Sequence, residues 1–210
     1  MYKRKKIICF VYARVNSTRL RNKLLRKINK ETIIEKNLKI INKINYIDDI
    51  FLLTTNKKND NSLIKICKFK NIKTFRGSEN NLIKRTNDCI NEYNLKYDYF
   101  VRYCCDNPLT SIKNIEKGLR IAIDNNFDIV SCAEHSNLVS GTSQVIIKKN
   151  CFKKILYEAK HKKYKEHIEN YCYDNHQKFN IHYINSSKKN YFNNLSLTLD
   201  NDRDFKRITK

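Results

Sequence analysis

Short apolar, β-branched segments alternate with amphipathic segments, and this alternation most constrains the fold of the 210-residue chain. Residues 6–12 (KIICFVY) form a continuous apolar run, which is typical of a strand buried on both faces of a parallel sheet. Similar runs predict four further strands, at residues 49–55, 73–75, 99–103 and 128–132. Helical periodicity fills the gaps, and the first helix begins at a capping box, Thr32 to Glu35. The pattern predicts a doubly wound α/β fold, with a mostly parallel sheet and helices on both faces.

The last third of the chain is less regular. It predicts strands at residues 141–148, 179–185 and 195–199, and helices at 150–160, 164–175 and 200–208. Asn150 is the expected cap of the first of these helices. No low-complexity linker divides the chain, so we predict one domain over residues 1–210.

The charge balance is strongly basic. Lys and Arg total 43, Asp and Glu total 21, and the net charge is +22. Such a balance indicates a polyanionic partner, which could be nucleic acid, a membrane surface or a phosphorylated ligand. The Lys residues are scattered, and the scarcity of Gly and Pro matches the residue usage of an A+T-rich coding sequence. We therefore favour a solvated basic surface that attracts a phosphate-rich substrate, with no nucleic-acid partner.

Cysteine usage and hydropathy indicate the compartment. The chain has eight Cys residues but no Cys-x-x-Cys pair, so neither a zinc ribbon nor a thioredoxin-type site is indicated. No signal peptide is visible, and no apolar run is long enough to span a membrane. The sequence therefore predicts a cytoplasmic protein without a membrane span.

The loop after the first predicted strand concentrates hydrogen-bond donors. In sheets of this class ligands bind beyond the carboxyl ends of the strands, where this loop lies. The loop, residues 13–23, carries hydroxyl and cationic side chains that a triphosphate needs for charge neutralisation: Arg14, Ser17, Thr18, Arg19 and Lys23. It is not a P-loop, because it has no Gly-Lys-Ser/Thr step. An ordinary basic loop would have the same composition, so both interpretations stay open at this point.

Two acidic residues, Asp106 and Asp200, each follow a predicted strand. Pro108 favours an extended turn after Asp106, so this carboxylate is expected to face the crevice. Its alternative role, capping the next helix, can be filled by Thr110 or Ser111. Asp200 could also be a helix cap, which does not exclude metal binding. Two carboxylates, phosphate oxygens and waters would form a suitable Mg²⁺ shell.

Five segments, in order along nearly the whole chain, resemble the cytidylyltransferase family. This family includes spore-coat-polysaccharide-type enzymes and synthetases of CMP-activated acidic sugars. The segments are residues 12–23 (YARVNSTRLRNK), 75–79 (FRGSE), 101–109 (VRYCCDNPL), 166–167 (EH) and 197–205, with LTLD and a following DF. The resemblance implies a nucleotide-diphospho-sugar transferase-like fold. It also implies transfer of CMP from CTP to an acidic sugar or sugar-phosphate-like acceptor, with release of pyrophosphate, for cell-surface polysaccharide or lipopolysaccharide biosynthesis.

The resemblance also implies residue roles. It implies a catalytic role for Arg14, Lys23 and Asp106, and Mg²⁺ binding by Asp106 and Asp200. It implies nucleotide binding by Ala13, Arg14, Asn16, Ser17, Thr18, Arg19 and Lys23, and contacts near the cytosine and ribose by Arg76, Gly77 and Ser78. Arg102, at a strand end facing the same crevice, and the Glu166-His167 pair are candidate acceptor-binding residues. Arg102 could instead pair with a neighbouring carboxylate, and His167 could be a surface residue. A homodimer is the assembly common among similar enzymes.

Several positions depart from the family pattern. Asn16 and Asn22 replace glycines, and Asn tolerates left-handed backbone better than most residues. Arg21 replaces a proline, Cys105 replaces the glycine before the metal-binding aspartate, and residues 140–145 (SGTSQV) lack the family's acids. These departures motivate one alternative, a relative that binds nucleotide without turnover.

Two other functional classes have weaker support. A glycosyltransferase is suggested by residues 200–202 (DND), which imitate an Asp-x-Asp metal motif, but this motif lies about ten residues before the last residue. That position leaves no room for an acceptor-binding half. A basic nucleic-acid-binding module would bind with a steep salt dependence, and no helix-turn-helix or RNA-recognition motif supports it.

Overall fold

The computed structural model describes residues 1–17, 19–132, 136–185 and 195–209. Thr18, one of the expected nucleotide-binding residues, lies outside this part of the chain. The strands are β1 (Ile7–Tyr12), β2 (Lys27–Ile28), β3 (Glu31–Thr32), β4 (Asp49–Thr55), β5 (Lys73–Gly77), β6 (Tyr99–Cys104), β7 (Ile129–Ser131), β8 (Val145–Lys148) and β9 (Ile181–Tyr183). The helices are α1 (Ile33–Ile41), α2 (Asn61–Phe69), α3 (Leu82–Glu92), α4 (Ile112–Asp124), α5 (Lys149–Glu158), α6 (Asn170–Asp174) and α7 (Asp202–Thr209).

Seven of the described strands form one sheet, in the spatial order β5-β4-β1-β6-β8-β7-β9. β1 is parallel to β4 and β6, and β5 is parallel to β4. β8 is antiparallel to both of its neighbours, and β9 is parallel to β7. The expected mostly parallel α/β sheet is confirmed. The carboxyl ends of β5, β4, β1 and β6 lie at one edge, where Gly77, Thr55, Tyr12 and Cys104 end their strands.

Helices cover both faces of this sheet because residues alternate sides along each strand. Ile7, Cys9 and Val11 pack into one core cluster with apolar residues of α1, α2 and α4. Ile8 and Phe10 pack on the opposite face with residues of α3, α5 and α6. All six residues of β1 are buried, as the continuous apolar run predicted. No helix in the described ranges is long and apolar enough to cross a membrane.

Two of the helix caps expected from the sequence, at Thr32 and Ser111, are confirmed. The Thr32 hydroxyl accepts a hydrogen bond from the Glu35 amide at 3.3 Å, and the Glu35 carboxylate accepts one from the Thr32 amide at 2.9 Å. Ser111 caps α4 by accepting from the Asn114 amide at 3.3 Å. Asn150 is not a cap, because β8 leads directly into α5 and Lys148 takes the cap position without a side-chain hydrogen bond.

The last third differs most from the expectation. The strand expected at residues 195–199 is wrong for the described backbone, which forms only an isolated parallel bridge between Ser140 and Ser196. The helix expected at 164–175 is reduced to α6, preceded by a 3₁₀ turn at Lys162–Tyr164. Tyr164 and Ile168 are buried all the same, so their apolar periodicity reflects burial of an irregular segment.

Candidate active site

A cavity of about 210 Å³ opens beyond the carboxyl ends of β1 and β6. Most of the predicted site residues line it, namely Ala13, Arg14, Asn16, Ser17, Arg19, Lys23, Arg102, Asp106, Glu166 and His167. Asp200 lies beside the cavity, next to Lys23. Arg76, Gly77 and Ser78 do not belong to this lining. The structure thus brings together the described residues of the first loop, both acids and the three residues predicted to bind the acceptor.

Lys23 joins the two acids. Its Nζ atom is 3.4 Å from Asp106 Oδ2 and 3.7 Å from Asp200 Oδ1, and its side chain is only 13% exposed. Arg19 adds a second cation, with Nη2 3.0 Å from Asp200 Oδ1. Residues from distant parts of the sequence therefore meet at one point, which is what the predicted metal and phosphate site requires.

Buried amide side chains fix the backbone that carries Asp106. Asn37 is fully buried and donates to the Cys105 carbonyl at 2.9 Å, while the Tyr103 hydroxyl donates to Asn37 Oδ1 at 2.8 Å. Gln144 accepts from the Cys104 amide at 2.9 Å. The side chains of Asn37 and Gln144 both bond the backbone just before Asp106. Buried residues of the core therefore fix the position from which the Asp106 carboxylate projects. Cys105, which replaces the family's glycine, is buried in the core.

A second set of hydrogen bonds places Asp200 beside Asp106. The Leu199 amide donates to the Asp106 carbonyl at 2.7 Å, which joins the two segments directly. Asp204 then accepts from the amides of Asp200 and Asn201, at 2.9 and 3.0 Å. Burial acts to raise the pKa of Asp204, but these amide donors and Arg207 lower it below its ordinary value. Asp204, the acid of the Asp-Phe segment, therefore fixes the backbone that carries the Asp200 carboxylate.

Asp60, which the sequence analysis did not single out, holds the first loop against β4. Its carboxylate accepts from the Val15 amide at 2.7 Å and from the Thr55 amide at 3.1 Å, and the Thr55 hydroxyl also donates to it. Burial tends to raise the pKa of Asp60, but these donors lower it overall. The only signal in the sequence was its place in a loop beyond the carboxyl end of a predicted strand.

Asp60→Asn should therefore lower the free energy of unfolding by about 2–3 kcal/mol, because the amide nitrogen would face hydrogen-bond donors. The lowered folded pKa of Asp60 contributes stability above its ordinary pKa, and this contribution is lost as the pH falls through the folded value. The variant should lack this loss of stability in acid. Urea unfolding of both proteins from pH 7 to pH 3 measures the difference. An equal fall of the free energy of unfolding with decreasing pH in both proteins would contradict this role.

The two asparagines at family glycine positions behave differently. Asn22 adopts the left-handed conformation, with φ of 52°, and begins the 3₁₀ turn that carries Lys23. Asn16 has no positive φ, and its Oδ1 atom accepts from Asn59 Nδ2 at 3.1 Å. Asn22 therefore adopts the left-handed backbone that glycine would allow. Asn16 needs no such backbone and is held by a side-chain hydrogen bond from a neighbouring loop.

Arg85 is a second residue that the sequence analysis missed. It is 2% exposed and donates to the carbonyls of Ser78 and Glu79, at 2.7 and 3.0 Å. Burial lowers its pKa. Gly77 allows this arrangement, since a Cβ there would be 3.0 Å from Arg85 Cγ. A charged residue inside the apolar stripe of a predicted helix was the signal that could have revealed Arg85.

Arg76 is directed away from the cavity. Its three guanidinium nitrogens donate to the Thr55 carbonyl at 3.0 Å, the Asn61 side chain at 2.7 Å and the Lys57 carbonyl at 2.7 Å. Arg76 thus ties β5 to the loop after β4, and each of its guanidinium nitrogens is already engaged there.

Arg102 forms a buried ion pair, one of the two outcomes left open by its sequence. Its Nε atom is 3.1 Å from Glu169 Oε2, and both side chains are less than 10% exposed. Burial tends to lower the pKa of Arg102, but the surrounding acids raise it. Burial alone would raise the pKa of Glu169, but the positive charge of Arg102 outweighs it and the pKa is lowered overall. Glu169 was missed, although it lies two residues after the quoted Glu166-His167 pair.

Glu166 and His167, the other residues predicted to bind the acceptor, lie beside this pair. His167 Nδ1 lies 3.4 Å from Arg102 Nη2 and 3.8 Å from Glu169 Oε1. The nearby Glu169 carboxylate raises the pKa of His167 above its ordinary value. Arg14 Nη2 is 3.1 Å from Glu166 Oε1, in an exposed pair at the cavity mouth. One end of the cavity therefore carries two arginines and a histidine.

The sequence is similar to known proteins along nearly its whole length. The sequence model of a family described as cytidylyltransferase matches residues 8–207. An uncharacterized protein of Methanocaldococcus jannaschii is 35% identical over 201 residues, which are 96% of this chain and 81% of that protein.

Two solved structures share the fold. One, described as a cytidylyltransferase from Leptospira borgpetersenii serovar Hardjo-bovis, has a TM-score of 0.90 at 24% identity and covers 98% of this chain and 85% of its own. The other, CMP:2-keto-3-deoxy-manno-octonic acid synthetase complexed with CTP, has a TM-score of 0.71 at 11% identity and covers 97% of each chain.

Proposed function

Since the chain belongs to the cytidylyltransferase family of CTP-dependent nucleotidyltransferases, we propose that it transfers CMP from CTP to an acidic sugar or sugar-phosphate-like acceptor. Pyrophosphate is released, and the product serves cell-surface polysaccharide biosynthesis. The observation that carries the proposal is the meeting of Lys23 with Asp106 and Asp200 in a cavity also lined by Arg14 and Arg19.

Asp106 and Asp200 fit a Mg²⁺ site. Carboxylate oxygens are the ligands that Mg²⁺ prefers, and both carboxylates already converge on one cation, the ammonium of Lys23. Each side chain is about one third exposed, which leaves space for phosphate oxygens and water. When bound, Mg²⁺ would supply neutralisation of the charge that develops on the phosphates.

The first loop would hold the triphosphate. Arg14, Arg19 and Lys23 now contact carboxylates, and phosphate oxygens can replace those carboxylates as acceptors. Ser17 Oγ accepts from the Leu20 amide at 3.3 Å, so its hydroxyl hydrogen remains for a phosphate oxygen. These contacts would orient the α-phosphorus for in-line attack by an acceptor oxygen while pyrophosphate leaves on the opposite side.

The segment from Arg76 to Ser78 would act on the nucleoside indirectly. Arg76 is used to hold the loop after β4, and Gly77 and Ser78 provide the space and the carbonyl that position Arg85. Arg85 lines the cavity. We propose that this segment forms the wall beside the cytosine and ribose through Arg85.

An anionic group on the acceptor is supported by the charges at the β6 end of the cavity. The positive charge of Arg102 is balanced by Glu169. His167 supplies additional positive charge, because its raised pKa favours the protonated form. Glu166 can exchange its contact with Arg14 for an acceptor hydroxyl. These residues support a carboxylate or phosphate on the acceptor together with sugar hydroxyls.

The experiment that tests this function is pyrophosphate release from CTP and Mg²⁺ with a panel of acidic sugars and sugar phosphates. At least one acceptor should give turnover, and Asp106→Ala should be silent with the same acceptor. A protein that binds CTP but turns over no acceptor in the panel would contradict the proposed transfer.

That outcome would favour a second candidate, a relative that binds nucleotide without turnover. It is motivated by residues 140–145, which lack the family's acids. Gln144 in this segment is 2% exposed and donates to Thr110 Oγ1 at 2.9 Å, so it supports the backbone instead of reaching a substrate.

A homodimer is also proposed, on the resemblance to similar enzymes alone. Sedimentation equilibrium should give a mass twice that of the 25.2 kDa chain. A mass of one chain at concentrations well above those of the activity assay would contradict it.

A further inference from the structure

We propose that Lys23 occupies the divalent-cation position between Asp106 and Asp200 until a nucleotide arrives, so that the protein binds metal only together with nucleotide. This inference rests on the proposed function, because it concerns the same two carboxylates. It adds a role for Lys23 in the order of binding, beyond contact with phosphate.

The geometry of Lys23 carries the proposal. Its ammonium is within 4 Å of both carboxylates, and its side chain is only 13% exposed although it belongs to a cavity lining. The following residue, Leu24, is 3% exposed and anchors the turn in the core. Lys23 therefore begins from a fixed backbone and reaches the gap between the acids.

Charge is already balanced at this point. Two carboxylates face two cations, since Arg19 also contacts Asp200 at 3.0 Å. Mg²⁺ needs carboxylate oxygens at about 2.0–2.1 Å, so it must lie in the space that the ammonium now fills. An ammonium and a divalent cation in one small gap repel each other strongly. Metal can bind between the acids only when Lys23 leaves.

A bound triphosphate would draw the ammonium of Lys23 away from the two acids. Phosphate oxygens offer it acceptors of higher charge than a shared carboxylate, and they add ligands for the metal at the same time. Nucleotide binding and metal binding should then each strengthen the other, because such coupling is reciprocal for equilibrium binding. The shared phosphate ligands contribute to this coupling in any case, so the part that comes from Lys23 is the metal affinity gained when Lys23 is removed.

The test measures Mn²⁺ binding without nucleotide, by the electron paramagnetic resonance signal of free Mn²⁺. Lys23→Met should bind Mn²⁺ at least about tenfold more tightly than the unmodified protein, because the competing cation is gone. Lys23→Gln serves as a second variant should Lys23→Met fail to fold. Lys84→Met is the matched control, since it removes an exposed lysine that pairs with Asp88 on α3.

The controls separate this inference from the proposed function. Adding Asp200→Asn to Lys23→Met should abolish the gained Mn²⁺ binding. Equal Mn²⁺ affinity of the unmodified protein and both Lys23 variants, or an equal gain in Lys84→Met, would overturn the inference while CTP binding with Mn²⁺ keeps the proposed function intact. Absence of CTP binding to the unmodified protein, with or without Mn²⁺, would overturn both.

Discussion

Glu169→Gln should lower the free energy of unfolding by about 3–5 kcal/mol, because it leaves the buried charge of Arg102 without its counter-ion. Glu169 and Arg102 are both less than 10% exposed and lie 3.1 Å apart. Water therefore cannot replace the lost carboxylate charge. Urea unfolding at pH 7, followed by circular dichroism, measures the loss.

Two controls define the cause of that loss. Glu166→Gln removes an acid only three residues away whose pair with Arg14 is exposed, and it should change stability by less than about 1 kcal/mol. The double variant Arg102→Met/Glu169→Leu should recover much of the stability, because apolar residues can replace a buried pair at little cost. A loss no larger in Glu169→Gln than in Glu166→Gln would contradict the buried-pair argument.

The same pair predicts a pH dependence. The folded pKa of Glu169 is lowered, so its contribution to stability is complete above its ordinary pKa of 4.5 and is lost as the pH falls through the folded value. The gap between the unmodified protein and Glu169→Gln should narrow in acid. The pKa of His167, raised chiefly by Glu169, should fall in the variant, and proton NMR titration measures this shift. An unshifted His167 would contradict the contact.

Asp106→Asn and Asp200→Asn should each remove the Mg²⁺-dependent stabilisation by CTP. A ligand at about 100 times its Kd stabilises the native state by about 2.7 kcal/mol, which a thermal-shift assay readily detects. Without either carboxylate the site loses charge needed to hold a divalent cation. The two variants should therefore show at most a small, Mg²⁺-independent shift with CTP.

Asp202→Asn is the matched control for Asp200→Asn. Asp202 lies two residues away, is 68% exposed and pairs with Arg26 at 2.5 Å instead of Lys23. It should keep the full Mg²⁺-dependent shift. The Asp-x-Asp interpretation of residues 200–202 requires both acids, so loss of the shift in Asp202→Asn would support the glycosyltransferase alternative against a metal site formed by Asp106 and Asp200.

The alternating core was predictable because it depends on local patterns. The continuous apolar run of β1 and the capping box at Thr32 need no knowledge of the rest of the chain, and both are confirmed. The segment at residues 195–199 has an equally strand-like sequence. It forms only a bridge because its backbone is held by Asp106 and Ser140, which are distant in sequence.

The site was predictable only in part for the same reason. The donors of the first loop and the two acids were expected from their places at strand ends, and the structure brings them together. Their roles stay proposals. Asp60, Arg85 and Glu169 were missed because their importance comes from burial among partners that the sequence does not show. Arg76 was expected at the nucleotide, yet its donors are taken by neighbouring carbonyls and an amide.

Anomalous diffraction from crystals soaked with CTP and Mn²⁺ tests the proposed nucleotide and metal site most directly. We expect a metal peak between Asp106 and Asp200, with the triphosphate against Arg14 and Arg19 and the ammonium of Lys23 on a phosphate oxygen. A metal peak away from these two carboxylates, or a triphosphate bound outside the cavity beyond β1 and β6, would contradict it.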